Sequence, residues 1–369
     1  MRSLGDAVLS GKRVILRLGL DLPLDDNGKI LDDERLRIVL PTIHFLLNRN
    51  AKVIIIGHLG RPKGQTDPKL SLRPVYIQLS ALLKKPVHFA PKLFSGDTKV
   101  AVEKLPEGAI LGLENLRFDS GEDNNSRTFA RKLANYGDIY VNDAFSVAHR
   151  EAASTVAITE FLPSYPGLAI DKEINVLAGL LKNPAHPFVA IIGGVKIADK
   201  LPAITHIGRV ADRVLVGGGV ANTFMASQGM NIRESIYDKD YLDQATAIIK
   251  RSQQKIVLPV DFVWGDGKIL DNGPETTEMF AKYLKGAQTI FWNGSLGHTE
   301  DPRYRKCSDT IAGLIAESPA TTIIAGGNTI EIFSRLDLLD KVTFVSSGGG
   351  AALELLSGKV LPGIRALHS

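Results

Sequence analysis

The chain has 369 residues, 44% hydrophobic and 23% charged, a mixture that buries a sizeable core and excludes disordered or low-complexity architecture. At about 150 residues per domain, that length predicts two domains. Lys and Arg number 44 against 40 Asp and Glu, and a formal charge of +4 with no basic run excludes a nucleic-acid footprint.

Along the first half, short β-branched runs at Val14–Leu20, Val53–Ile56, Val87–Phe89, Ile110–Leu113 and Ile139–Val141 predict strands. Between them, helical periodicity covers Glu34–Leu47, Ser71–Leu83 and Thr128–Tyr136, with Ser71 and Ser126 as candidate N-caps. Phe161–Gly167 interrupts the pattern with two prolines and predicts a domain boundary, after which Leu168–Lys182 reads as one linking helix. Strands are then predicted at Phe188–Ile192, Val214–Val216, Ile256–Val263, Thr289–Trp292, Thr322–Ile324 and Val342–Val345. Helices are predicted at Tyr241–Arg251, Pro274–Leu284 and Arg303–Glu317. Pro362-Gly363, in the tail 358–369, suggests a segment that docks elsewhere.

Runs so short and uniformly apolar suit strands covered on both faces by helices. The expected fold is α/β, two doubly wound, mainly parallel domains: residues 1–166, a linking helix 167–183, and residues 184–357. One cysteine, Cys307, excludes a disulfide framework, and no apolar run approaches the ~18 residues of a membrane span. Arg2, Asp6, Lys12 and Arg13 interrupt any signal-peptide core, so a cytoplasmic location with no membrane or nucleic-acid partner is expected.

In open α/β sheets, ligands bind beyond the carboxyl ends of the strands. In the first half those ends are cationic: Gly57-His58-Leu59-Gly60-Arg61-Pro62, Glu114-Asn115-Leu116-Arg117-Phe118, and Asn142 through His149-Arg150, with Arg35 shortly after the first strand. Gathered at one sheet edge, Arg35, His58, Arg61, Arg117 and Arg150 make a pocket for a small polyanion, because the planar guanidinium fork binds phosphate or carboxylate bidentately. Two like charges ~4 Å apart repel by ~4 kcal/mol at an effective dielectric of ~20, so such a cluster needs an anionic ligand or carboxylate neighbours.

The second half has glycines at its strand ends instead: Gly193-Gly194, Gly217-Gly218-Gly219, Gly326-Gly327 and Gly348-Gly349-Gly350. Glycine admits a phosphate close to the backbone at a helix N-terminus. Lys196 and Lys200 are expected on one face of a helix following Gly194, with Asp199 as a magnesium or lysine partner. Asn328 reads as the N-cap of a helix beginning at Thr329. Trp264 and Trp292 read as core. Neither a P-loop nor a dinucleotide fingerprint occurs. An anion pocket on one domain and a nucleotide pocket on the other fit phosphoryl transfer, which needs positioning and charge neutralisation more than covalent chemistry.

Six segments together resemble the phosphoglycerate kinase family: Gly57–Pro62, Leu113–Phe118, Asp143–Phe145 with Ala148–Arg150, Gly193–Lys196, Trp292–Gly294 and Gly348–Ala351. The resemblance implies two Rossmann-like domains around a cleft, a tail returning to the N-terminal domain, and a monomeric enzyme. It implies reversible transfer of the acyl phosphate of 1,3-bisphosphoglycerate to MgADP, giving 3-phosphoglycerate and MgATP. By the same resemblance, Arg35, His58, Leu59, Gly60, Arg61, Arg117, Arg150 and Asp21 would bind the phosphoglycerate. Arg35 and Lys196 would reach the phosphoryl group in flight, and Gly349 and Gly350 would open a helix N-terminus toward it. Lys200 and Asn293 would face the nucleotide phosphates, Gly193, Gly194, Gly218, Gly219 and Leu270 the adenine, and Glu300 the ribose. Gly326, Gly327, Asn328 and Thr329 would form the magnesium-nucleotide loop.

Departures from the family pattern lie at Gly19 and Asp21, where the family has aspartate and asparagine, at Ser295 through Thr299, and at Asn328 in place of aspartate. Gly19 motivates an alternative kinase acting on another carboxylate; Asn328 motivates a weakly active binding paralogue.

Overall fold

The computed structural model describes residues 2–25, 28–252 and 254–368. The chain divides into two units, one formed by residues up to Asn175 together with those from Val360 onward, the other by Val176–Lys359.

The first unit runs β1 (Arg13–Leu18), α1 (Glu34–Leu47), β2 (Lys52–Ile56), α2 (Arg73–Leu83), β3 (Val87–Ala90), α3 (Gly96–Glu103) and β4 (Ile110–Leu113). It continues through α4 (Ser120–Asp123), α5 (Arg127–Ala134), β5 (Ile139–Asp143) and β6 (Ser164–Pro166) into α6 (Leu168–Lys182). The strands form one parallel sheet in the order β3-β4-β2-β1-β5-β6. Alternation along β1 divides the core: Val14, Leu16 and Leu18 join the cluster on one face and Ile15 the cluster on the other. Each such side chain, taken from water, contributes roughly 1.5–3 kcal/mol.

The second unit holds β7 (Phe188–Ile192), α7 (Leu201–Val210), β8 (Arg213–Val216), α8 (Gly218–Ser227), α9 (Leu242–Arg251) and β9 (Ile256–Val257). A hairpin of β10 (Phe262–Gly265) and β11 (Lys268–Asn272) precedes α10 (Pro274–Leu284), β12 (Thr289–Asn293), α11 (Lys306–Ala316) and β13 (Thr321–Ala325). Then come α12 (Gly327–Arg335), β14 (Phe344–Ser346) and α13 (Gly349–Leu356). Its sheet is parallel in the order β14-β13-β12-β7-β8-β9. A short α14 (Pro362–Arg365) rejoins the first unit, where the Gly363 N–H donates to the Ala148 carbonyl at 2.9 Å and Leu367 enters the core.

Five local expectations are corrected. The run Ile256–Val263 is not one strand: β9 stops before Pro259, which has no N–H for a ladder, and β10 pairs antiparallel with β11. The segment read as a bare boundary contains β6, an edge strand, where proline is tolerated. Ser71 is not the N-cap of α2; Leu72 is, and the Ser71 hydroxyl donates to Glu114 Oε2 at 2.7 Å. Lys196 and Lys200 do not share a helix, because α7 begins at Leu201 with Pro202 in its first turn. Trp264 lies half-buried on the hairpin with Arg233 4.2 Å over its ring, whereas Trp292 is fully buried.

Candidate functional site

In the first unit the cationic residues meet where the chain leaves β1, β2, β4 and β5. β1 ends at Leu18, so Gly19 to Asp21 form a loop beyond the sheet. The Asp21 carboxylate accepts from the Gly60 N–H at 2.8 Å and stands 3.9 Å from His58 Nε2. Arg35, in the first turn of α1, donates through Nη1 to the Asp21 carbonyl. Arg117 is buried, with Nη1 donating to the Gly60 carbonyl at 2.8 Å and Nε to Asp123 at 2.9 Å. Asn115 supports the same loop, its amide donating to the Leu59 carbonyl at 2.7 Å and the Leu70 carbonyl at 2.9 Å.

The charges act on one another. Burial first, then Arg117 and Arg61, pull Arg150 below the ordinary guanidinium value, opposed by Asp123 and Asp21. His58 is pushed well below the usual imidazole range by burial and then by Arg17, Arg117, Arg150 and Arg35. It is therefore neutral at pH 7. Its tautomer follows from a residue that the strand-end reading overlooked. Arg17, buried in β1, has Nη2 2.8 Å from His58 Nδ1. A guanidinium only donates, so Nδ1 accepts and the imidazole proton resides on Nε2, the nitrogen that faces Asp21.

Arg17 is itself held by Ser154 Oγ at 2.9 Å and by Glu122 at 4.0 Å, while Ser154 Oγ donates to Glu122 at 2.6 Å. Burial lowers Arg17 and raises Glu122, so desolvation outweighs their attraction and the shared hydrogen bonds sustain the pair. One signal in the sequence pointed here: an arginine inside an otherwise apolar strand.

In the second unit a cavity of about 300 Å³ is lined by Gly194, Gly218, Gly219, Leu270, Glu300 and Asn328, among others. Val195, Ile236 and Leu296 give it apolar walls. His298 Nδ1 lies 3.0 Å from Glu300 Oε2 at its polar side. Gly194 has φ +97°, and a Cβ there would lie 3.3 Å from Lys200 Nζ, which places that ammonium beside the cavity. Lys200 donates to the Lys196 carbonyl at 3.3 Å, and burial lowers its proton affinity against the opposing pull of Asp199 and Asp238. Lys196 is exposed.

Two helix N-termini lie side by side here: a Cβ on Gly349, the first residue of α13, would sit 3.0 Å from the Cα of Gly326, the N-cap of α12. Their aligned N–H groups and dipole ends favour an anion. Gly326 has φ +93°, a conformation that selects glycine, and it leaves Asn328 in the first helical turn rather than at the cap. Other expected nucleotide residues are engaged within the protein. Asn293 donates to the Ala325 carbonyl at 2.8 Å, and Thr329 Oγ1 accepts from the Gly294 N–H at 2.7 Å. Gly193 leaves no room for any side chain, since a Cβ would meet the Ser295 carbonyl oxygen at 2.1 Å. Cys307 is buried, its thiol pushed up to about 12 by burial, and it serves the core.

The family model described as phosphoglycerate kinase matches residues 4–359. A phosphoglycerate kinase of Desulfosudis oleivorans is 40% identical over 391 residues, covering 100% of this chain and 99% of the relative. The cytosolic phosphoglycerate kinase of Triticum aestivum is 42% identical, covering 99% and 97%. Among solved structures, phosphoglycerate kinase from Pyrococcus horikoshii OT3 matches with TM-score 0.90 at 31% identity, covering 100% of this chain and 98% of that one.

Proposed function

The chain belongs to the phosphoglycerate kinase family, a phosphotransferase of glycolysis, and from that premise we propose that its first unit binds 3-phosphoglycerate and its second the adenine nucleotide. The observation that carries this division is the cluster of Arg35, His58, Arg61, Arg117 and Arg150, all within one unit. Their guanidinium forks suit the phosphate and carboxylate of the glycerate, and neutral His58 adds a single Nε2–H donor. In the kinase direction a carboxylate oxygen attacks the γ-phosphorus of ATP, the bond to the bridging oxygen breaks, and ADP leaves with that electron pair. Arg35 and Lys196 neutralise the charge on the transferring group, and the α12 and α13 N-termini receive it with their N–H groups. Lys200 holds nucleotide phosphates, Leu270 packs on adenine and Glu300 accepts from ribose hydroxyls.

The residues also fit magnesium. Among the described residues no group of three His, Cys, Asp or Glu side chains converges, while Asn328 lines the cavity and Asp199 lies near Lys200. Such sparse donors suit an ion that keeps its waters and rests mainly on nucleotide phosphates. Bound there, it supplies charge neutralisation to those phosphates. We place the activity in the cytosol, as in the named wheat relative.

Steady-state kinetics with ATP and 3-phosphoglycerate test the division. Arg61→Ala and Arg150→Ala raise KM for 3-phosphoglycerate by roughly 10-fold or more, the scale of one charge-assisted hydrogen bond, and leave KM for ATP alone. Leu270→Ala does the reverse. The opposite pattern overturns the assignment.

A further inference from the structure

β1 and β5 are neighbours in the first sheet, with Leu18 opposite Asp143. One residue past β1 stands Gly19, and three past β5 stands Ser146, in the short turn Phe145–Val147. A Cβ built on Gly19 would lie 2.8 Å from Ser146 Oγ, closer than real Cβ contacts allow. Ser146 Oγ, the end of a rotatable side chain, therefore holds the space that a Cβ at position 19 would enter, and it would have to swing away to admit one. The turn is fixed at both ends, since Phe145 and Val147 are buried, while Ser146 itself is half-buried. Among the described residues its hydroxyl has no hydrogen-bond partner.

The surroundings narrow what that hydroxyl can take. Asp21, two residues after Gly19, is bonded to the Gly60 N–H. Arg150, four residues after Ser146, feels Arg117 and Arg61. The cations answer the phosphate and the carboxylate of the substrate, which leaves its C2 hydroxyl, the one uncharged polar group of 3-phosphoglycerate. A serine hydroxyl both donates and accepts, so it pairs with another hydroxyl at no cost in charge. We propose that Ser146 Oγ hydrogen-bonds the C2 hydroxyl of the glycerate, and that Gly19 lets that hydroxyl keep its present position. This rests on the placement of 3-phosphoglycerate in the first unit.

The test compares kcat/KM for 3-phosphoglycerate and for 3-phosphooxypropanoate, which lacks the C2 hydroxyl, in the full chain, with a thermal melt of every variant. Ser146→Ala is expected to lower kcat/KM for 3-phosphoglycerate roughly 10-fold and to leave the deoxy substrate unchanged, so that the preference between them collapses. Gly19→Ala, whose methyl displaces the Ser146 hydroxyl, should give the same collapse. The double variant should be no worse than either single one, the non-additivity expected of two changes that remove one contact. Equal losses on both substrates, or a preference that survives Ser146→Ala, overturn the proposal. If in those same assays Arg61→Ala still raises KM for 3-phosphoglycerate, only this inference fails. If Arg61→Ala leaves that KM untouched, the placement of the substrate fails, and this inference with it.

Discussion

Nη2 of Arg17 and Nδ1 of His58 are 2.8 Å apart in the buried floor of the cationic pocket, and that contact decides which imidazole nitrogen carries the proton. A buried arginine thus sets the donor that His58 would offer to the proposed substrate.

His58→Gln keeps an N–H near the ε position and is expected to retain several-fold more kcat/KM for 3-phosphoglycerate than His58→Ala. Arg17→Met leaves Glu122 buried without its cation and should cost about 3–5 kcal/mol of stability. Equal activity of the two His58 variants, with chemical denaturation of Arg17→Met matching wild type, would remove the pair from both roles.

Arg35→Ala and Lys196→Ala should each lower kcat by about 100-fold or more with the fold retained, the scale of removing one pre-oriented group from developing charge. Near-normal turnover in either purified variant, with an unchanged circular dichroism spectrum, takes that residue out of the mechanism.

Asp143 predicts a pH dependence. Its Oδ1 accepts from the Ile170 N–H in the first turn of α6 at 2.9 Å, Oδ2 has no hydrogen-bond partner among the described residues, and burial pushes the carboxyl up to about 6 against the opposing influence of Thr42, Ile170 and Ala169. The folded state then holds a proton that the unfolded chain releases near 3.8. This contribution is fully present below 3.8 and is lost as pH rises to about 6, at about 1.4 kcal/mol per pH unit. Asp143→Asn should flatten the decline in denaturation free energy across that window. Asp271, also pushed to about 6 by burial, keeps the same sign of slope, so part of the decline remains. Parallel curves for wild type and variant would assign the proton elsewhere.

Asn328 sits in the first turn of α12, where Gly326 is the cap, so a carboxylate there would face the helix dipole and, on the proposed placement, the magnesium ion. Asn328→Asp should lower the magnesium concentration for half-maximal rate, because a charged oxygen is the better ligand for a hard cation. It should also stabilise the protein by about 0.3–1 kcal/mol through the dipole. Superimposed magnesium titrations with a raised Tm would leave only the helix effect.

The sheets were legible because their strands are apolar on both faces, and runs such as Phe188–Ile192 and Ile110–Leu113 show that to a one-dimensional reading. The errors came where backbone chemistry overrode hydrophobicity. Pro259 splits one apolar run, Pro202 delays α7 beyond both lysines, and Pro166 sits in a strand because that strand is an edge. Strand-end position led to the arginines that the structure brings near His58, namely Arg35, Arg117 and Arg150. Gly19 stood out in the sequence, but its contact with Ser146 did not, because their meeting depends on β1 and β5 being neighbours, which spacing does not encode. Asn293 and Thr329 read as ligand-facing, yet each bonds to backbone, since a buried amide or hydroxyl takes the partner its own loop offers.

The return of residues 360–368 to the first unit gives the chain a built-in order of assembly. Leu361, Ile364 and Leu367 are buried there, and the Gly363 N–H closes on Ala148, more than two hundred positions earlier. During synthesis the ribosome completes the whole second unit before those side chains emerge. That unit is continuous in sequence and can fold as it appears, while the first waits with part of its core open to water. The proposed phosphoglycerate pocket at Arg150 neighbours the backbone at Ala148 that the tail clamps. That pocket thus matures only after the second unit has been made, although its own residues precede that unit in the chain.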